Sequence, residues 1–129
     1  MTKRVVESNS VPAAFGPYSQ GVLVGETLYL SGVLGIEPVS GALRDGLQAQ
    51  VDQLFSNMRH TVEAAGGTLA DIVKLMVILT DINQATVVNE AMVKLFKAPF
   101  PARATIVAAA LPKGALVEVD SVAVIQSGS

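Results

Sequence analysis

Two carboxylates lie two residues apart near the carboxyl end of the sequence, inside an otherwise apolar run. Glu118 and Asp120 alternate with Val117 and Val119 in the segment LVEVDSV. Side chains two residues apart on a strand point to the same face. A carboxylate buried in a cleft has a raised pKa and can act as a general base or acid. On a solvent-facing edge the same pair would do no chemistry, and the pattern alone leaves both interpretations open.

A single arginine stands in the long apolar segment before that strand. Arg103 is the only charged residue between Lys97 and Lys113. A lone arginine is usually a surface ion-pair partner, but its planar fork of donors also suits a bound carboxylate. The sequence therefore offers a candidate anion-binding group and a candidate acid–base group on two different predicted strands.

Four further residues are candidates for lining such a site, and each has an ordinary structural alternative. Tyr18, in GPYSQ, is as suited to packing as to donating a hydrogen bond. Ser31 and Gly32 are typical turn residues, and Asn89 is equally suited to a solvated helix surface. The glycines match neither the dinucleotide-binding fingerprint nor a phosphate-binding loop.

Composition excludes several classes of function. With no cysteine and one histidine among 129 residues, the chain has no disulfide framework, no thiolate nucleophile and no two-histidine metal site. A net charge of −2 and a pI near 5.2 leave no basic footprint for nucleic acid. The first ten residues lack the apolar segment of a signal peptide, and no apolar run is long enough to span a bilayer. We expect a cytoplasmic protein that binds neither nucleic acid nor membranes.

Two helices follow from the hydropathy pattern. Apolar residues recur at helical spacing from Leu47 to Ala65, and Gly66–Gly67 ends the stripe. Asp81 with Gln84 resembles a capping box that opens a second helix. The apolar stripe of that helix comprises Ala85, Val88, Met92, Leu95 and Phe96, and Pro99 and Pro101 follow it.

The remaining apolar segments predict six strands. The first is Val5–Val6, and the next two form a hairpin from Gln20 to Ser31 that turns at Gly25–Glu26, with Ser31–Gly32 ending the third strand. The last three are the segments 72–80, 103–109 and 115–125. The order β-β-β-α-β-α-β-β predicts one α+β domain over residues 1–129, a mixed sheet with both helices on one face. Because 50% of the residues are apolar and only 16% are charged, we expect further copies of the chain to cover the other face.

Short motifs spread over nearly the whole chain occur in the order found in one known family. They are GPYSQ (16–20), SG (31–32), AAGG (64–67), DIVKLMVILTD (71–81), VN (88–89), PAR (101–103) and LPKG-x-LVEVD (111–120). Together they resemble the RidA family of reactive intermediate deaminases, also called the YjgF family. The resemblance implies a fold like that of the small chorismate mutases, assembled as a homotrimer with active sites in clefts between subunits.

The resemblance also implies an activity and a role for each candidate. The activity is hydrolysis of enamines and imines of 2-oxo acids, such as 2-aminoacrylate and its imine tautomer, to the 2-oxo acid and ammonia, without a cofactor or metal. Arg103 would bind the substrate carboxylate, and Glu118 would orient and partly deprotonate the attacking water or hand on its proton. The backbone carbonyl of Thr105 would accept a hydrogen bond from the imine nitrogen. The residues expected to line the cleft are Tyr18, Ser31, Gly32 and Asn89.

Three departures from the family pattern bear on substrate range. Thr105 stands where many members have a cysteine, Val33 replaces the usual glutamine, and the segment between Asn89 and Arg103 is shorter than common. Three other functions remain as alternatives. One is a non-catalytic, regulatory trimer that binds 2-oxo acids; the second is ribonuclease or translation-inhibitor activity, which the acidic pI and the single histidine disfavour. The third is a holdase-type chaperone that uses apolar surface, for which the composition indicates no site.

Overall fold

A computed structural model describes residues 2–126 as a six-stranded mixed sheet with two α-helices packed on one face. The strands are β1 (Lys3–Val6), β2 (Gly21–Val24), β3 (Thr27–Leu34), β4 (Ile72–Leu79), β5 (Ala102–Val107) and β6 (Val117–Val124), and the helices are α1 (Leu47–Ala64) and α2 (Ala85–Leu95). This confirms the predicted α+β class, the number of strands and the two helices. Neither helix within the described residues combines the length and apolarity needed to cross a membrane.

The sheet order puts the last strand in the middle of the sheet. The order is β1-β2-β3-β6-β4-β5, and every neighbouring pair is antiparallel except β4 and β5. A parallel pair needs a crossover connection, and α2 supplies it between β4 and β5. In this order β6 lies between β3 and β4, whereas β5 forms one edge of the sheet.

The core lies between the helices and one face of the sheet. The middle of the predicted α1 stripe is buried, with Val51, Leu54, Phe55, Met58 and Val62 at most 1% exposed. Its two ends, Leu47 and Ala65, are partly buried. The helix ends as predicted, because Gly66 adopts a left-handed φ of 93° and the Gly67 N–H bonds the Val62 carbonyl. The stripe of α2 is only partly right: Leu95 is exposed, and Phe96 is buried but lies beyond the end of the helix.

The predicted capping box is present but caps a different element. The Asp81 side chain accepts a hydrogen bond from Asn83 N, and Gln84 Oε1 accepts from Asp81 N. These bonds close a 3₁₀ turn, Ile82–Gln84, that runs directly into α2. The turn sets the direction in which α2 leaves β4.

The other face of the sheet carries apolar side chains with no helix over them in the described residues. Tyr29 on β3, Ile106 on β5 and Val5 on β1 are each about half exposed, at 53%, 47% and 49%. We call this surface the open face. Its exposed apolar groups match the expectation that a single chain leaves one face of the sheet uncovered.

The predicted end of β3 at Ser31–Gly32 is wrong. The strand continues to Leu34, and the pairing with β6 shifts register between Leu30 and Val33. Ser31 and Gly32 therefore form a bulge inside the strand. Beyond the bulge, Asn57 Nδ2 of α1 donates hydrogen bonds to the carbonyls of Leu34 and Ile36, which fix the end of the strand.

Candidate active site

Arg103 points from the edge strand β5 toward the helices. In the parallel pairing Arg103 lies beside Leu75 and Thr105 beside Val77, and both partners are buried core residues. The guanidinium is held from two sides. Its Nη1 donates to Asn89 Oδ1 on α2 at 2.6 Å, and its Nε donates to Thr105 Oγ1 at 2.9 Å.

Part of this guanidinium remains free to bind a ligand. Nη1 also contacts Met92 Sδ at 3.5 Å, but the two N–H groups of Nη2 have no hydrogen-bond partner among residues 2–126. Partial burial lowers the pKa of Arg103 from its ordinary value, although arginine keeps its charge at neutral pH. A partly desolvated cation with two free donors is suited to a carboxylate.

The backbone of Thr105 lies on the free edge of β5. Ala108 N donates to Leu79 O at 2.8 Å, and along a strand the backbone groups of successive residues point to alternate edges. The N–H and C=O of Thr105 therefore face away from β4. Its carbonyl is available to accept a hydrogen bond on the same strand that carries Arg103.

Glu118 lies on the open face of β6, beside Ile78 of β4. Its carboxylate sits against Gly32: a Cβ at position 32 would lie only 2.9 Å from the carboxyl carbon and would overlap Oε2. The bulge in β3 and the absence of a side chain at Gly32 together make room for the carboxylate. No donor within residues 2–126 forms a hydrogen bond to it.

The environment of Glu118 favours its neutral form. Burial raises the pKa of the Glu118 carboxyl, and the nearby negative charge of Asp120 raises it further. The sequence prediction that the two carboxylates share one face is confirmed, with Glu118 half-buried and Asp120 exposed. A half-buried carboxylate without a donor is a stronger base than a solvated one.

The loop before β2 packs against the bulge in β3. The Ser31 hydroxyl donates to the Ser19 carbonyl, so its proton is already committed and its oxygen is left as an acceptor. Tyr18 packs edge-on against Phe15 at 5.6 Å between ring centroids. Tyr18, Ser31 and Gly32 line one small pocket of about 40 Å³.

Gln20 is a residue that sequence reasoning missed. Its side-chain Oε1 accepts from Ser8 N at 2.7 Å, and its Nε2 donates to the carbonyls of Ser8 and Pro12 at 3.3 and 3.0 Å. These bonds tie the loop to the start of β2 and so fix the segment that carries Tyr18. The position of Gln20 within the GPYSQ motif could have indicated this role from the sequence.

The predicted site residues thus form two groups rather than one. We call Arg103, Asn89, Thr105 and Met92 the arginine cluster, and Glu118, Gly32, Ser31 and Tyr18 the glutamate cluster. Arg103 and Glu118 lie on opposite faces of the sheet, because their neighbours on β4, Leu75 and Ile78, are three residues apart. β4 lies between the strands that carry them. One chain does not bring them together. Residues 2–126 contain no group of three histidine, cysteine, aspartate or glutamate residues suited to a metal.

Comparison with known proteins identifies the family. Residues 8–125 match the family model described as Endoribonuclease L-PSP. Several relatives carry the name 2-iminobutanoate/2-iminopropanoate deaminase. The relative from Dermatophagoides farinae is 42% identical over 96% of this chain and 98% of its own length. The relative from Homo sapiens is 43% identical over 96% of this chain and 91% of its own length.

A solved structure shows the same fold. The crystal structure of RidA from an Antarctic Psychrobacter bacterium is 47% identical to this chain and matches it with a TM-score of 0.93. The match covers 95% of this chain and 99% of that one. These comparisons confirm the resemblance drawn from the sequence motifs: the chain belongs to the Endoribonuclease L-PSP family, to which the RidA deaminases belong.

Proposed function

We propose that this protein is a hydrolase that deaminates reactive imines and enamines of 2-oxo acids, of the 2-iminopropanoate and 2-iminobutanoate type. The observation that carries the proposal is the presence of two chemically complementary groups in one chain. Arg103 has free donors on Nη2 that fit a carboxylate, and Glu118 is a half-buried base that receives no hydrogen bond from residues 2–126. The deaminase names of relatives with more than 40% identity support the same reaction.

The assembly that would unite the two clusters is a homotrimer with its sites between subunits. The open face exposes apolar side chains that a second copy would cover. β5 is an edge strand, so the arginine cluster lies at the rim of the subunit, within reach of a neighbour. In this arrangement Arg103 of one subunit meets Glu118 of the next, and each chain acts as one domain over residues 1–129.

Substrate binding would begin at the arginine cluster. The Nη2 donors of Arg103 bind the carboxylate of the imino acid, which places the C=N carbon near the neighbouring glutamate. Asn89 and Thr105 hold the guanidinium in place. The Thr105 carbonyl accepts a hydrogen bond from the imine N–H and so orients the nitrogen.

Hydrolysis then needs only water and proton transfer. Glu118 takes a proton from water as the water oxygen bonds to the imine carbon, the C=N π electrons move to nitrogen, and Glu118 returns that proton to the nitrogen to give the neutral carbinolamine. In the second step Glu118 takes the proton of the carbinolamine hydroxyl and passes it to the nitrogen as the C=O bond forms and the C–N bond breaks. Ammonia leaves, and Glu118 is again a carboxylate. An enamine substrate first becomes the imine by protonation at carbon. Because water alone balances the reaction, we propose that no cofactor takes part.

The glutamate cluster would supply the water side of the site. Ser31 has its proton committed to the Ser19 carbonyl, so it would accept a hydrogen bond from water or from the product ammonia. Tyr18, fixed by Phe15, would close the cleft over the substrate. We propose that this chemistry takes place in the cytoplasm on small imino acids, and not on nucleic acids or at membranes.

Ribonuclease activity is less well supported, although the family description carries that name. A net charge of −2 and a pI near 5.2 do not favour a polyanionic substrate. The single histidine provides no pair for general acid–base cleavage of RNA. A regulatory trimer that binds 2-oxo acids without turnover would use Arg103 equally, so Glu118 distinguishes that alternative from the enzyme.

The test is a coupled assay of imine decay. A serine or threonine dehydratase generates the imine, and its disappearance is followed with and without this protein. We expect the wild type to accelerate the decay, and Arg103→Ala and Glu118→Ala to remove the acceleration. Glu63→Gln, on the outer surface of α1 in a weak ion pair, is the matched control and should behave as wild type. No acceleration by the wild type across several amino-acid-derived imines would contradict the proposal.

A further inference from the structure

The side chain of Thr105 touches the group that would bind substrate. Arg103 and Thr105 are two residues apart on β5 and point to the same side of the sheet. The Nε of Arg103 donates to the Thr105 hydroxyl at 2.9 Å, and both residues are partly buried. This contact is separate from the backbone carbonyl of Thr105, which faces the free edge of the strand.

The contact to Thr105 acts on a different end of the guanidinium from the contact to Asn89. Asn89 Oδ1 holds Nη1 at 2.6 Å, and Thr105 Oγ1 holds Nε. A planar group held at one atom can still turn about that contact, whereas one held at two atoms has a fixed plane. The two bonds leave Nη2 as the part of the guanidinium with free donors among the described residues.

We propose that Thr105 is a positioning residue for Arg103. Its hydroxyl oxygen accepts the Nε–H bond and sets the plane in which Nη2 meets a bound carboxylate. The identity of the ligand, the carboxylate of a 2-oxo or 2-imino acid, rests on the proposed function. The orientation of Arg103 by Thr105 does not depend on that proposal.

The residue type at position 105 determines this role. A hydroxyl oxygen accepts a hydrogen bond from a charged donor well, whereas valine has no acceptor and a thiol sulfur is a weak one. Valine has nearly the same shape as threonine and suits a strand equally. Thr105→Val therefore removes the acceptor with little change in packing, and Thr105→Ser keeps the acceptor.

The first test reads the arginine directly in the ligand-free protein. The Nε–H proton of Arg103 is observed by ¹⁵N-resolved NMR and assigned by its absence in Arg103→Lys. We expect Thr105→Val to shift this signal and speed its exchange with water, and Thr105→Ser to leave it close to wild type. Thr86→Val, on the exposed surface of α2, is the control and should change nothing.

The second test measures the consequence for ligand binding. We expect Thr105→Val to raise the Kd for 2-oxobutanoate and the KM for the imine by about threefold to tenfold, the effect of one hydrogen bond. The value of kcat should change little, because the carboxylate is bound equally in the ground and transition states. Thr105→Ser should restore both constants, and Thr105→Cys should fall between serine and valine. A role in folding alone would not give this order or the split between KM and kcat.

The outcomes separate this inference from the proposed function. An unchanged Nε–H signal and an unchanged Kd in Thr105→Val would overturn the positioning role. If the wild type binds 2-oxobutanoate but accelerates no imine decay, the proposed function fails while the Nε–H signal and the Kd still decide the role of Thr105. If Thr105→Val does not fold, Thr105→Ala is measured in its place with the same expected changes, and an unchanged signal there would equally overturn the inference.

Discussion

The arginine cluster and the glutamate cluster differ in how completely one chain builds them. In the arginine cluster two side chains from two elements fix the guanidinium, with distances of 2.6 and 2.9 Å. In the glutamate cluster the carboxylate rests against a glycine and receives no hydrogen bond from the described residues. The guanidinium of Arg103 is therefore held in place within the subunit, whereas the carboxylate oxygens of Glu118 accept no hydrogen bond from the described residues.

This difference has a physical consequence. A partly buried carboxylate that lacks a donor is costly, and its raised pKa expresses that cost. The cost falls when water, substrate or a neighbouring subunit supplies a donor. We infer that the arginine cluster determines where substrate binds, whereas the glutamate cluster becomes complete only in the assembled, occupied site.

The largest expected effect separates binding from turnover. Glu118→Gln should lower kcat by about 10²- to 10⁴-fold, the usual contribution of a general base, and still bind 2-oxobutanoate. Arg103→Ala should lose both turnover and binding. The measurements are the coupled decay assay and titration calorimetry. Loss of 2-oxobutanoate binding in Glu118→Gln, with Arg103 intact, would contradict the division of roles.

A second change acts on the position of the carboxylate without removing it. In Gly32→Ala the new Cβ would overlap Glu118 Oε2, so the side chain must move. We expect kcat to fall by about 10²-fold, as displacement of a reacting group by roughly 1 Å can cause, while 2-oxo acid binding persists.

The matched control is the same Gly32→Ala substitution in the Glu118→Ala background, where no carboxylate is left to clash with the new Cβ. Thermal denaturation should show that Gly32→Ala lowers the Tm in the wild-type background and lowers it less in the Glu118→Ala background. Equal losses of Tm in both backgrounds would show that Gly32 matters for a reason other than Glu118.

A smaller effect is expected on the pH dependence of the reaction. Glu118 must be ionised to act as a base, so activity rises as the pH passes upward through its pKa. Burial and the charge of Asp120 raise that pKa. Asp120→Asn removes the second cause, so the pKa falls and the acidic limb of kcat/KM moves to lower pH.

The control for Asp120→Asn is a charge change of the same size elsewhere. Asp45 lies in the exposed loop before α1. Asp45→Asn should leave the acidic limb of the kcat/KM profile unchanged. A shift of the limb to higher pH in Asp120→Asn, or equal shifts in both variants, would contradict the assignment of Glu118 as the base.

Patterns with a short period were predicted well from the sequence. The stripe of α1 repeats every three to four residues, and the alternation along β6 places Glu118 and Asp120 on one face. Both features depend on local geometry that the chain imposes on itself. The motif resemblance then correctly identified the family.

Features that depend on which strands lie side by side were not predictable in the same way. The bulge at Ser31–Gly32 exists because β3 pairs with β6, nearly ninety positions further along the chain. The hydrogen bond between Arg103 and Asn89 requires α2 to cross over β5. Alternation shows that a strand has two faces, but only the register of β4 with β5 and β6 shows that Arg103 and Glu118 point to opposite ones.

The most direct test of the central claim, a site shared between subunits, mixes two inactive variants. Arg103→Ala and Glu118→Gln are co-expressed with different affinity tags, and assemblies that carry both tags are purified. A mixed cyclic trimer contains two Arg103→Ala chains and one Glu118→Gln chain, or the reverse. Each of these compositions has one interface where an intact Arg103 meets an intact Glu118, so we predict about one third of wild-type activity. A dimer would give about one half. Mixed assemblies as inactive as either variant alone would contradict the account, because the two clusters would then have to act within one chain.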